Sequence, residues 1–179
     1  TIGTWSVTPD DEAIIPIPNG AANAWPLWSY AGSPSMPPLS GSVASNAVRL
    51  TATFDVAVVA RNSEPGTVDK ALALPTELLG TEYYVLAERP SGTPTFGPGA
   101  HFVVVATEDA TTVTVDGITT GLAPVVLDRG EGVAIQSWYG VAGTHVVADK
   151  KVAVANGNRC TQLPAGGGRY CSHLYEISL

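Results

Sequence analysis

The feature that most constrains this chain is a series of short β-branched segments cut by polar turns at intervals of about 8–12 residues. Residues 102–106 (Phe-Val-Val-Val-Ala) and 112–115 (Thr-Val-Thr-Val) set the pattern. Residues 124–127, 132–138, 144–148, 152–155 and 174–179 continue it. Segments this short cannot build long helices, and Val and Thr suit a pleated, half-buried surface. The spacing predicts a sandwich or a barrel. Asp116-Gly117 predicts a hairpin turn. Residues 70–74 and 82–87 also read as strands. Residues 76–88 carry Glu, Leu and Ala, but Gly80 and the Tyr83-Tyr84-Val85 run argue against a helix there.

Composition bears on what such a fold can do. Apolar residues make up 45% of the 179 positions and charged residues 14%, enough to bury a core. Nine Lys and Arg face sixteen Asp and Glu, for a net charge of −7. No basic run exists, so nucleic acid is not an expected partner, and neither is an anionic membrane surface. The apolar runs, such as 56–60 and 102–106, are too short for a membrane-spanning helix.

A self-match at an offset of about 96 residues predicts an internal duplication. Residues 5–20 lie over 102–117, each reading as strand, acidic turn, strand and then Asn-Gly or Asp-Gly. Residues 49–58 lie over 145–154. The expected architecture is all-β, with two related β-sandwich-like units in tandem. The first covers 1–92 and carries a Gly/Ser/Pro-rich insertion at 20–45. The second covers 93–179. It lacks its last strand, because nothing after Leu179 matches the 82–87 strand of the first unit. An unfilled sheet edge of that kind exposes unpaired backbone groups, to be covered by the insertion or by a neighbouring chain.

The chemistry-bearing residues are few. Cys160 and Cys171 flank a flexible loop containing Gly166, Gly167 and Gly168. A metal site would need more ligands than His173, and a redox site favours Cys-x-x-Cys. A disulfide stapling the loop is the expected state, contributing about 3 kcal/mol through loop entropy and pointing to an oxidising compartment. His101, His145 and His173 each read as strand-end residues, and no Gly-x-Ser-x-Gly elbow is present. Asp10-Asp11-Glu12 and Glu108-Asp109 sit at equivalent turns of the two copies. That placement favours turn chemistry over calcium, which stays open. Trp25, Trp28 and Tyr30 in the insertion, with Trp138 and Tyr139 at a strand end, are the candidate partner contacts, set against packing over a sheet.

Four stretches together resemble one family. Leu74-Pro-Thr-Glu-Leu-Leu-Gly-Thr-Glu-Tyr-Tyr-Val85 is similar to a Leu-Pro…Leu-Gly-x-Glu-Tyr-Tyr segment of the IgGFc-binding protein N-terminal domain family. Residues 102–115 resemble that family's next strand pair. Residues 142–160 are similar to its Ser-Asp-Lys-Pro-Val-Ala-Val…Gly…Cys stretch, and Cys171-Ser-His-Leu174 to its Cys-Asp-His-Leu. The likeness covers about residues 68–179, with a fainter echo in 1–62. Lys151 replaces the usual Pro and Ser172 the usual Asp. The resemblance implies an extracellular β-rich module of adhesive, mucus-associated or microbial surface proteins, with no catalytic residues. Fc binding is not carried over on such a likeness.

The function expected from the sequence is therefore a non-enzymatic, extracellular or surface-exposed binding module. It needs no cofactor and no metal, and its partner is a protein or glycan on a surface. The alternative is a structural subunit of a particle or filament, such as a virion decoration or tail-associated protein, assembling with neighbouring copies through exposed strand edges.

Overall fold

The computed structural model describes residues 4–8, 11–16, 42–44, 47–64, 67–87, 99–117, 122–137, 140–162 and 172–179. They form an all-β chain: β1 (Ser42–Ala44), β2 (Val58–Glu64), β3 (Thr67–Ala73), β4 (Glu82–Tyr84), β5 (Ala100–Ala106), β6 (Thr111–Asp116), β7 (Val125–Leu127), β8 (Gly132–Ser137), β9 (His145–Ala148), β10 (Val152–Thr161) and β11 (Ser172–Ile177). Between β3 and β4 lies one 3₁₀ turn, Thr76–Leu78, in the stretch where Gly80 and the paired tyrosines argue against a longer helix.

Two antiparallel sheets face each other. One has five strands in the order β1-β8-β5-β10-β11, the other four in the order β4-β9-β6-β7. A two-stranded ribbon, β2-β3, lies beside β11, where Asp69 Oδ2 accepts a bond from the Tyr175 N–H at 2.8 Å. β1 and β4, both from the stretch before residue 93, take places in the sheets built by the later strands. Residues 4–8 and 11–16, expected to mirror β5 and β6, hold no strand.

Alternation explains the core. Ala100, Phe102, Val104 and Ala106 of β5 are buried, while His101, Val103 and Val105 between them are only partly covered. β6 repeats the pattern with Thr111, Val113 and Val115. Phe102, Ile135 and Val154 of the five-stranded sheet meet Val85, Leu127 and Val146 from the other side, all fully buried. Each such side chain stabilises the fold by about 1.5–3 kcal/mol through burial.

Consecutive strands mostly do not pair. β5 and β6 look like a hairpin in sequence, yet β5 pairs with β8 and β10, and β6 with β7 and β9. The chain crosses from one sheet to the other at 107–110, and does so again at β7–β8 and β9–β10. These three crossings lie at one end of the sandwich, because β8 and β10 both begin opposite the end of β5, whereas β4–β5 and β8–β9 change sheet at the end where β5 begins. Nor does Asp116-Gly117 close a two-residue hairpin: β7 begins only at Val125. Gly117 serves a close approach instead. It has φ of 91°, and a Cβ there would sit 3.3 Å from the Gly143 carbonyl oxygen.

Candidate functional site

The outward face of the four-stranded sheet gathers the most chemistry. The two-residue period turns Tyr83 into the core and Tyr84 outward, with relative exposures of 4% and 62%. Tyr84 pairs with His145 across the β4–β9 ladder, and the two rings stack at 4.6 Å with 13° between their planes. Glu82, two residues before Tyr84 on the same face, places Oε1 2.8 Å from His145 Nε2. Asp116 of β6 stands opposite His145 on its other side. Val147 lies opposite Glu82, and Leu86 and Val126 extend the exposed apolar surface.

This arrangement offers a flat, oriented aromatic platform with a carboxylate on each flank. The exposed His145–Glu82 contact contributes at most about 1 kcal/mol to stability, so its effect is to fix the imidazole orientation. A platform of this kind accepts an apolar side chain, a cation or the face of a sugar. Nothing in it forms a nucleophile–base pair.

The inward tyrosine is structural. Tyr83 Oη donates to the Val152 carbonyl at 2.8 Å and accepts from the Gly80 N–H at 2.6 Å. Gly80 lies against the ring, since a Cβ there would meet Tyr83 Cζ at 3.5 Å. The Leu79-Gly80-Thr81-Glu82-Tyr83 stretch is thus a clasp joining β4 to the start of β10. The Val152 N–H donates to Gly80 O, and the Ala148 N–H donates to Thr81 O.

The acidic turns are consumed by backbone. At the crossing end, Asp109 Oδ1 accepts the Arg129 N–H at 3.0 Å and Asp128 Oδ1 accepts the Ala110 N–H at 3.1 Å. Asp149 Oδ1 accepts the Thr112 N–H at 2.8 Å. Lys150 Nζ donates to the Asp109 and Ala110 carbonyls. Ala110, at φ 52°, occupies a left-handed conformation that L-residues adopt at a cost of about 1–2 kcal/mol. Those bonds hold it there. Asp11 near the N-terminus likewise accepts the Glu12 N–H. Among the described residues no three His, Cys, Asp or Glu side chains are grouped to hold a metal ion.

Trp25, Trp28, Tyr30, Trp138, Tyr139 and Cys171 lie outside the described residues, as does the side chain of Cys160 in β10. The Glu82–Tyr84–His145 group escapes a sequence reading that places His145 only as a strand-end residue, which it is. Its signal was the Glu-Tyr-Tyr alternation. An open cleft of about 190 Å³ lies between Asp69, Leu86, Asn156 and Tyr175, below the usual size of a small-molecule site. Burial, reinforced by Glu176, raises the Tyr175 phenol above its ordinary pKa.

A two-sheet sandwich with its turns tied off by backbone bonds and an aromatic–carboxylate platform on one outer face defines a β-rich domain of the sandwich class. The family model described as IgGFc binding protein matches residues 69–179, and the chain belongs to that family. The match takes in the clasp, the platform and the three crossing turns. Among curated proteins, the chain is similar to the IgGFc-binding protein of Homo sapiens, 28% identical over 148 residues. That alignment covers 77% of this chain and 3% of the human protein. No solved structure matches. Among the described residues, no helix is long and apolar enough to cross a membrane.

Proposed function

We propose that this chain is a non-enzymatic, extracellular protein-binding module whose contact surface is the outward face of the β4-β9-β6-β7 sheet. The observation that supports this most is the stacked Tyr84–His145 pair flanked by Glu82 and Asp116. It is an exposed aromatic held in one orientation beside Leu86, Val126 and Val147. Exposed, preoriented aromatics are the usual anchors of protein contacts. The name of the human relative supplies a first probe, the Fc fragment of immunoglobulin G.

The test immobilises the chain and passes over it purified Fc and, separately, a glycan array. Capture that Tyr84→Ala weakens tenfold or more, with the fold intact, supports the reading. Capture that Tyr84→Ala and Leu86→Ala leave unchanged places the contact elsewhere, Trp25, Trp28, Tyr30, Trp138 and Tyr139 being the next candidates. A Cys160–Cys171 disulfide belongs with the extracellular reading. Intact mass after alkylation, with and without reductant, decides it; two thiols alkylated before reduction would rule the bond out.

A further inference from the structure

We infer that the partner of the four-stranded sheet's outward face is the β2-β3 ribbon of a second copy of this chain, docking head to tail. The inference rests on that face being the binding surface, and it names an occupant.

The ribbon's ladder sets Val59 opposite Leu72, Arg61 opposite Lys70 and Ser63 opposite Val68. Directly opposed residues share a face, so Val59, Leu72, Arg61, Lys70 and Val68 lie on one side. That side looks away from the body. Val59, Val68 and Leu72 are 56%, 50% and 57% exposed, while Ala71 on the other side is 4% exposed.

The placement of the cations is unusual on physical grounds. The whole chain has only nine Lys and Arg. Two of them stand directly opposite each other on an exposed ribbon, a pairing that costs about 0.2–1 kcal/mol in isolation. Neither side chain has a partner among the described residues. A cation pair set between Val59–Leu72 and Val68 is suited to an anionic, partly apolar surface.

The outward face of the four-stranded sheet is such a surface. Glu82 and Asp116 lie one row and two strands apart, about 12 Å from strand spacing and rise. The flexible stems of Arg61 and Lys70 reach across that separation. Tyr84, Leu86 and Val147 between and beside the carboxylates meet Val59, Leu72 and Val68. Both faces are solvent-exposed within one chain, so they meet only between copies. Because the two faces differ, the contact is heterologous and propagates into a ring or a filament instead of stopping at a two-fold dimer. The ribbon measures about 23 Å by 10 Å, a footprint of about 230 Å² on each partner, which makes the contact small, weak and transient.

Sedimentation velocity on the full chain tests this from about 10 µM to about 1 mM, the range expected of so small an interface. Runs at about 20 mM and about 500 mM salt separate charge pairing from apolar association. The weight-average mass should climb with concentration at low salt and fall back at high salt, without a plateau at a dimer. Arg61→Glu with Lys70→Glu should abolish the climb, and so should Glu82→Arg with Asp116→Arg. An equimolar mixture of the two double variants should regain it, since each restores the other's charge match. Far-UV circular dichroism and thermal melts confirm that both variants fold. A wild type that stays monomeric at the highest concentration overturns the inference, as does a mixture of folded variants that stays monomeric. If that occurs while Tyr84→Ala still abolishes capture of Fc, the self-docking fails and the binding face stands. If both fail, the face itself is misassigned.

Discussion

Replacing Tyr83 by Phe removes a single oxygen from the interior, and the structure sets the consequence. That oxygen donates to Val152 O and accepts from the Gly80 N–H, across the gap between β4 and β10. Phe fills nearly the same volume, so the packing of the 4%-exposed ring is kept. What is lost is a partner for two backbone groups. Leaving a buried donor or acceptor unpaired costs about 1–3 kcal/mol each. Val152 lies in the β10–β5 ladder and is not wholly dependent on Tyr83, so the expected total is about 2–3 kcal/mol. With a urea slope near 2 kcal/mol/M, the midpoint should fall by about 1 M, and Tm by about 5–10 °C. Tyr84→Phe is the control. Its hydroxyl belongs to an exposed side chain, and the change should cost under about 0.5 kcal/mol. Urea unfolding followed by circular dichroism reads both. Equal midpoints for the two variants, or a Tyr83→Phe protein indistinguishable from wild type, would refute the argument that the inward tyrosine is a clasp.

Other outcomes follow from single contacts. Gly157→Ala should destabilise by more than about 3 kcal/mol or abolish soluble folding. A Cβ there would lie 2.1 Å from the Leu174 carbonyl oxygen and must part β10 from β11; a melt within a degree of wild type would disprove this. Asp149→Ala should cost about 0.5–1.5 kcal/mol by removing the exposed bond to the Thr112 N–H at the β9–β10 crossing, whereas Asp149→Asn, which keeps an acceptor oxygen, should recover most of that in the same denaturation assay. The Tyr175 phenol is raised by burial, so the folded state holds its proton to higher pH than the unfolded chain. Its contribution is therefore complete below about pH 10 and lost as pH rises through the folded value. Tyr175→Phe should flatten that alkaline decline, and a decline of unchanged slope in the variant would count against the assignment.

How much of this was legible in the sequence differs from element to element. β5, β6, β9 and β10 announce themselves because each carries closely spaced Val residues, and burial recurs there at every second position. Which sheet each strand joins was not legible. Glu108-Asp109 looks the same whether the chain turns back on itself or crosses to the opposite sheet, and the choice is made by Phe102 and Val113 burying themselves in opposing layers. The apparent duplication has a similar limit. Residues 5–17 follow the strand, acidic turn and strand pattern of 102–114, but in their described parts they find no strand partner. β1 could not be read from Ser42-Val43-Ala44, because its place is set by β8. The platform was hidden for a related reason: Glu82 and His145 are 63 residues apart, and only the β4–β9 ladder makes them neighbours.

That same ladder sets an order of events when the chain is made. Among the described residues, β4 has no strand partner but β9, and β5 pairs only with β8 and β10. At a synthesis rate of about 5–20 residues per second, Tyr84 waits roughly 3–13 s for Ala148 to follow it, with Val85 and then Phe102 bare in the meantime. The nascent chain should therefore stay protease-sensitive until the 145–154 stretch clears the ribosome, and then become resistant in one step. Stalled chains ending before and after that stretch, exposed to a brief protease pulse, report whether it does; gradual protection from β5 onward would mean that another early structure shelters these strands.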